Sequence, residues 1–263
     1  MNLSDELKKY SSILTESSGP ITRNRSNKNL QNVPQKVIGL VPGSVAADWH
    51  RHANGGGWVY KTAKVAITAY VGADALVYSN AQVYGRARVY DYAVVCGDAH
   101  VYSDARVYGQ AEVGGKARVY DYALVYDNAT VYDNARVFGS AHVSDNAEIY
   151  GDAQVYGHAW ISGYAQVRDN AKVTGSAQIY DNAEIYGDAW VTGYAWVTGY
   201  AEVFGKAQVY GSARVYGNAW TSGNARVSGK AQVFGEAEVY GEAVVYGDAQ
   251  VYDKKLSSGN IIK

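Results

Sequence analysis

The chain is poor in several residue types on which common folds and functions depend. Its 263 residues include one Cys (Cys96), one Met and three Pro. A single cysteine excludes a disulfide framework and a four-cysteine zinc site. Lys plus Arg number 24 and Asp plus Glu 25, so the chain lacks the basic excess that is typical of general polyanion binders. No apolar run approaches the ~18 residues that cross a bilayer. No hydrophobic signal-peptide core follows Met1. We therefore expect a soluble protein that does not associate with membranes.

What the chain has instead is a repeat of six residues. From Val59 to Val251 a Val or Ile occupies each of 33 positions spaced by six, except at Thr221, and an Ala follows four residues later 32 times. In the unit Ala-x-Val-Tyr, Ala and Val point to one side of an extended strand, and x and Tyr point to the other. The next two residues are often Gly-x or Asp-Asn, which is turn chemistry. The unit predicts a coil that keeps turning one way, stacks its strands in parallel and fills a narrow interior with Ala and Val.

This pattern resembles the hexapeptide-repeat family, whose units read aliphatic-x-x-x-small-x. The resemblance covers residues 59–252 and implies an all-β fold, a left-handed parallel β-helix of about 11 triangular coils with 18 residues in each coil. The Gly-Gly-Trp-Val sequence that enters the repeats is similar to that of uncharacterised Tyr-rich bacterial and phage hexapeptide proteins. That similarity implies a location in the cytoplasm of a bacterium or of an infected bacterial host.

The two ends of the chain fall outside the repeat. All three prolines lie before it, where Leu3, Leu7 and Leu14 are spaced like one face of a short helix. This helix either packs on the β-helix or associates with copies of itself. We expect residues 37–57 to cap the first coil, because an open end exposes unpaired strand groups. The chain divides into an N-terminal helix, linker and cap (1–57), the repeats (58–252) and a polar C-terminal tail (253–263).

Charged residues segregate by face when the units are placed on a three-sided coil. The residue before each Val is acidic or uncharged on one face and basic or uncharged on the next two. In a threefold assembly each subunit offers one face to the next copy and a second face to the previous copy. We therefore expect a homotrimer in which an acidic column meets a basic one, with the interface formed by Glu112, Glu148, Glu184, Arg118, Arg136 and Lys172.

The later coils carry most of the tryptophans. Trp and Arg are typical of protein-interface hot spots, so these coils predict a surface that binds another protein, formed by Trp160, Trp190, Trp196, Arg214 and Trp220. Trp also stacks on sugars and bases, which leaves the class of target open. Nucleic acid on the basic columns is an alternative that acidic residues at a neighbouring corner disfavour.

Candidates for catalysis or metal binding are few. Many hexapeptide-repeat proteins are acyltransferases that use acyl-coenzyme A, and the resemblance implies a catalytic His beside a loop thrown out from one coil. The candidate bases are His142, His158 and His100. The unbroken repeats, however, contain no such loop that could form one side of a substrate pocket. His50 and His52 form a pair without a third sure ligand, which makes a weak metal signal. We expect a structural or surface role for them and no cofactor.

Three functions remain open from the sequence. The first is a non-enzymatic, trimeric scaffold that binds protein on a rigid β-helix surface. The second is a phage-encoded inhibitor of a host defence complex, and the third is an acyl-CoA-dependent acyltransferase. The missing loop favours the first two over the third.

Overall fold

The structure is a computed structural model, and it describes residues 33–263. A short α-helix, α1 (Gln35–Ile38), and a 3-10 turn (Ala46–Asp48) come first, and every later regular element in this part of the chain is a strand of two or three residues. The helix predicted from Leu3 to Leu14 lies outside the described residues.

The strands form three sheets that run the length of the molecule. Sheet A has 13 strands: β1 (Trp49–Arg51), β2 (Trp58–Tyr60), β5 (Leu76–Val77), β8 (Val94–Val95), β11 (Glu112–Val113), β14 (Thr130–Val131), β17 (Glu148–Ile149), β20 (Gln166–Val167), β23 (Glu184–Ile185), β26 (Glu202–Val203), β29 (Trp220–Thr221), β32 (Glu238–Val239) and β35 (Lys255–Leu256). Sheet B has 12 strands: β3 (Lys64–Val65), β6 (Gln82–Val83), β9 (His100–Val101), β12 (Arg118–Val119), β15 (Arg136–Val137), β18 (Gln154–Val155), β21 (Lys172–Val173), β24 (Trp190–Val191), β27 (Gln208–Val209), β30 (Arg226–Val227), β33 (Val244–Val245) and β36 (Ile261–Ile262). Sheet C has 11 strands: β4 (Tyr70–Val71), β7 (Arg88–Val89), β10 (Arg106–Val107), β13 (Leu124–Val125), β16 (His142–Val143), β19 (Trp160–Ile161), β22 (Gln178–Ile179), β25 (Trp196–Val197), β28 (Arg214–Val215), β31 (Gln232–Phe234) and β34 (Gln250–Tyr252).

From β2 onward, consecutive strands pass from sheet A to B to C and then return to A. Each pairs in parallel with the strand one coil away, so that Arg118 lies between His100 and Arg136. Eleven complete coils result, each with one strand in every sheet. The prediction of about 11 stacked parallel coils with three faces is confirmed.

The interior consists of the Ala and Val columns. From Ala69 to Val245 these side chains have no exposed surface, and they form one continuous core. Thr221 is the one position of the Val column at which a polar residue replaces Val or Ile. Its side chain is fully buried, and its Oγ1 has no hydrogen-bond partner in the described part of the chain. The uniform small side chains explain how the coil closes so tightly.

The corners explain why the turn residue is so often Gly or Asp. From Ser79 to Gly247 this residue has a positive φ at every corner, for example 56° at Asp145 and 70° at Gly163. Where an Asp is followed by Gly one coil later, its Oδ2 accepts the Gly N–H, as Asp145 does from Gly163 at 3.0 Å. The same contact recurs at Asp91, Asp121, Asp133, Asp169 and Asp181. The Asp carboxylate therefore offsets the backbone strain that Gly avoids.

We expect Asp145→Ala to lower the free energy of unfolding by about 2 kcal/mol, because it removes a charge-assisted hydrogen bond and leaves a Cβ in the left-handed region. Asp145→Gly also removes the bond but relieves the strain, so it should cost less than about 1 kcal/mol. Urea denaturation of both variants measures the difference. Equal losses would contradict this account of the corners.

Residues 253–263, which the repeat pattern sets apart as a tail, extend the solenoid. Strand β35 pairs with β32 and β36 pairs with β33. Glu238 lies opposite Lys255, a separation of 17 residues where the earlier coils have 18. The missing residue breaks the six-residue spacing, which is why the sequence pattern stops before this coil.

Candidate binding surface

The tyrosines that follow the interior valines stack on one another along the outside of the coil. Beside sheet B the rings of one ladder have centroids 4.7–4.9 Å apart and are within 4° of parallel. This ladder consists of Tyr84, Tyr102, Tyr120, Phe138 and Tyr156. Because each ring covers the face of the next, only ring edges point outward. The ladder therefore stabilises the stack of coils and does not offer ring faces to bases or sugars along its length.

The predicted tryptophan surface is divided among the three faces. Trp160, Trp196 and Arg214 lie on sheet C, whereas Trp190 lies on sheet B and Trp220 on sheet A. The guanidinium of Arg214 lies 4.6 Å from the centroid of the Trp196 ring. Trp160, Trp190 and Trp220 are each more than two fifths exposed. The five residues thus form no single site, although three of them share one sheet.

The three candidate catalytic histidines occupy different surroundings. The His142 ring lies 5.3 Å from that of Trp160 on sheet C. Burial and, secondarily, repulsion from His158 at the neighbouring corner lower its pKa. His100 lies on sheet B, where burial and then Arg118 lower its pKa. These shifts favour neutral imidazoles. Within residues 33–263, however, no carboxylate pairs with His142, so the described chain supplies no base–orienter pair there.

The basic column of sheet B makes no ion pair with any described residue. Arg118 and Arg136 are directly opposite each other on adjacent strands, and both are exposed. Two like charges in this position repel each other. Farther along the same column Lys172 lies beside the exposed Trp190. An anionic partner would relieve the repulsion and would find an aromatic anchor on the same face.

The acidic column of sheet A is largely satisfied within the chain. The Glu184 carboxylate accepts a hydrogen bond from Arg168 at 2.9 Å, and Glu202 accepts one from the Tyr186 hydroxyl at 2.7 Å. Glu238 pairs with Lys255 at 2.8 Å. The two columns therefore differ in more than sign, because three of the five acids have partners, whereas the cations of sheet B make no ion pair within the described chain.

Glu112, expected on the outer acidic column, has only 6% of its surface exposed. Its Oε2 has no hydrogen-bond partner among the described residues. Burial raises its pKa to about 7. Glu112 is therefore unable to offer an exposed charge to a second subunit, and the predicted interface loses this member.

Arg168 is a residue that the sequence reading missed. It replaces the usual Tyr of its column and lies with its guanidinium 4.0 Å from the centroid of the Tyr186 ring. The same guanidinium forms an ion pair with the Glu184 carboxylate and lies 3.6 Å from the Asp169 carboxylate. A charged residue in a column that is otherwise uncharged and mostly aromatic is the signal that could have identified it.

The two cap histidines have different surroundings. His50 is exposed, whereas His52 is buried and its Nδ1 lies 3.1 Å from the Asn54 carbonyl oxygen. Within residues 33–263, no three His, Cys, Asp or Glu side chains come together in a group that could hold a metal ion.

Comparison with known proteins bears on the fold. The family model described as YdcK beta solenoid repeat matches four segments of the chain, at residues 81–97, 129–145, 177–193 and 207–221. No curated protein matches the chain. Among the described residues there is no helix with the length and apolarity needed to span a membrane. The matched segments and the stacked coils together support a repeat protein of the β-solenoid type.

Proposed function

We propose that this protein is a non-enzymatic scaffold whose sheet B binds an acidic surface of another protein. The observation that carries the proposal is the contrast between the two charged columns. Arg118, Arg136 and Lys172 are exposed and make no ion pair in the described chain. Most Glu side chains of the acidic column on sheet A, in contrast, already have a partner within the chain. The coils hold these cations at a fixed spacing along a stiff face, as a recognition surface requires.

The binding free energy must come from several contacts across sheet B, because no single contact is strong enough. An exposed ion pair contributes only ~0–1 kcal/mol, so several cations and an apolar anchor must act together. Trp190, adjacent to Lys172, supplies such an anchor, and Trp is among the residues that dominate interface energies.

Nucleic acid fits this face less well than protein does. The aromatic ladder beside the column covers its own ring faces, so successive bases find no stacking platform there.

A homotrimer is a second proposal that uses the same column. Glu148 on sheet A makes no ion pair within the described chain, and in a parallel threefold assembly it would face the basic column between the levels of Arg136 and Lys172. Burial of Glu112 and the internal pairing of Glu184 leave this interface with fewer acids than the sequence suggests. A separate acidic partner is therefore the better supported occupant.

The test measures binding of poly-L-glutamate, as an acidic polypeptide probe, by calorimetry at low salt. We expect Arg118→Glu combined with Arg136→Glu to weaken binding by about tenfold or more, because it reverses two neighbouring charges. The matched control is Arg88→Glu with Arg106→Glu on sheet C, which changes the net charge equally and should retain most of the binding. Equal losses would show that binding follows net charge and not sheet B. Tighter binding of a DNA oligonucleotide than of poly-L-glutamate would also contradict the proposal.

Two further measurements address the other functions. Light scattering of the wild type and the same double variant tests the trimer, which should dissociate when the basic column is reversed. Titration with acetyl-coenzyme A tests the acyltransferase, for which saturable binding that depends on His142 would be required. A phage-encoded inhibitor would be a special case of protein binding, and its gene neighbourhood would distinguish it from a general scaffold.

A further inference from the structure

The hydrogen bonds of each coil run forward to the next one. On sheet B the N–H groups of Lys64 and Ala66 donate to the carbonyl oxygens of Ala81 and Val83 at 2.9 and 2.8 Å. Because strand groups alternate in direction, the N–H and C=O of the intervening Val65 point the other way. In later coils such groups meet a preceding coil, but in the first coil they need another partner.

Two of the three sheets have that partner. On sheet A, Val59 lies opposite His50 of the antiparallel strand β1. On sheet C, the Val71 N–H donates to the Asn54 carbonyl oxygen at 3.0 Å, and the Val71 carbonyl oxygen accepts the Gly57 N–H at 2.8 Å. The cap therefore covers both of these edges with its own main chain.

No described residue pairs with the edge of sheet B, and we call this the open edge. Strand β3 is its terminal strand, and Val65 makes no backbone hydrogen bond from its N–H to the described chain, nor does its carbonyl oxygen accept one from beyond the edge. The Val65 side chain is only partly buried, although equivalent valines in later coils have no exposed surface. A groove of about 620 Å³ lies over this point, lined by His50, Ala63, Lys64, Val65, Ala66, Gln82 and Tyr84.

We propose that this open edge binds an extended, acidic segment of a partner polypeptide by β-strand addition. An unpaired strand edge is a template for another main chain, and β1 already pairs in this way on the neighbouring sheet. An apolar residue of the segment lies over Val65 and completes the interior column. A carboxylate on the segment lies beside Lys64, which is exposed, and no Asp or Glu is among the residues that line the groove.

A second copy of the chain fits this edge less well. Stacking its last coil here would bring three strands to the first coil, where β1 and residues 54–57 already cover sheets A and C. A single extended segment needs only sheet B. The site is also distinct from the basic column, because Arg118 lies three coils farther along the sheet.

The test uses the full-length protein and a capped hexapeptide of alternating valine and glutamate. We expect the peptide to shift the backbone amide resonance of Val65 and to slow the hydrogen exchange of that amide by about tenfold or more. A peptide of the same sequence, N-methylated at alternate backbone positions, should not bind, because it lacks the donors needed for pairing.

Two variants separate main-chain pairing from charge. Val65→Pro removes an N–H that makes no ladder bond, at an edge where proline is tolerated, and it should abolish binding. If this variant does not fold, Lys64→Glu provides the second measurement and should weaken binding by about threefold or more. The Arg118→Glu, Arg136→Glu variant should bind the hexapeptide as the wild type does, so failure of the proposed basic face would leave this result unchanged.

Three results would overturn the proposal. The first is an unchanged Val65 amide at millimolar peptide. The second is slow exchange of that amide in the free protein, which would mean that the edge is already paired. The third is concentration-dependent self-association that Val65→Pro removes, which would identify a second copy as the occupant.

Discussion

Replacement of Ile161 by Ala is expected to lower the free energy of unfolding by about 2–5 kcal/mol, the range for truncating a buried aliphatic side chain to Ala. Ile161 has no exposed surface and lies between Val143 and Ile179 in the interior column of sheet C. Its removal opens a cavity at the middle of the stack. In a solenoid, stability depends on contacts between neighbouring repeats, so the loss affects the interfaces on both sides.

The matched control for this experiment is Ile262→Ala. Ile262 lies in the terminal strand of sheet B and is only partly buried, so its truncation should cost less than about 1 kcal/mol. Chemical denaturation followed by circular dichroism measures both variants. A cost at Ile161 no larger than that at Ile262 would show that the interior is not packed as the structure describes.

The contribution of Glu112 to the stability of the wild type is expected to fall by about 3 kcal/mol as the pH rises from about 4.5 to 7. Burial raises the pKa of Glu112 from 4.5 to about 7, so the folded protein retains a proton that the unfolded chain releases in this window. The unfolded state then binds fewer protons, and stability decreases with rising pH. The size follows from about 1.4 kcal/mol for each tenfold change in proton affinity.

Glu112→Gln tests this expectation, because the neutral amide cannot ionise. The variant should lose the decline between pH 4.5 and 7 and should exceed the wild type by about 3 kcal/mol at pH 8. At pH 4, where the wild-type carboxyl is neutral in both states, the two proteins should differ little, which provides the internal control. Urea denaturation across this pH range is the measurement. Parallel pH profiles would mean that Glu112 ionises without cost and is not buried as described.

The repeat predicts which charged residues share a face, but it does not predict which of them are available for binding. Placing the units on an 18-residue coil assigns Arg118, Arg136 and Lys172 to one column and Glu148 and Glu184 to another, and the strand pairing has this register. Whether a charge is available for binding follows from contacts between columns. Arg168 engages Glu184 from a position that is usually aromatic, and nothing in the six-residue pattern requires that pairing.

For the cap, too, the sequence predicts one part of the structure and not the other. The need to cover the first coil follows from the unpaired strand groups of any open solenoid, and β1 and residues 54–57 supply two covers. The described part of the cap leaves the third edge unpaired at Val65, and this depends on the path of the cap chain across the coil. Short non-repeating segments carry no periodic signal from which such a path could be predicted.

The six-residue recurrence of Val and Ala on one side of each strand is enough to predict a parallel coil with an interior of small side chains. The three faces follow from the resemblance to hexapeptide repeats, which the segregation of charge supports. Three features become visible only in the folded chain: the burial of Glu112, the extra strands after residue 252 and the edge at Val65 that no described residue covers. Each of these depends on contacts between residues of different coils or between the cap and the coil. Such contacts vary with one substitution or deletion, whereas the backbone ladder that defines the fold is repeated in every coil.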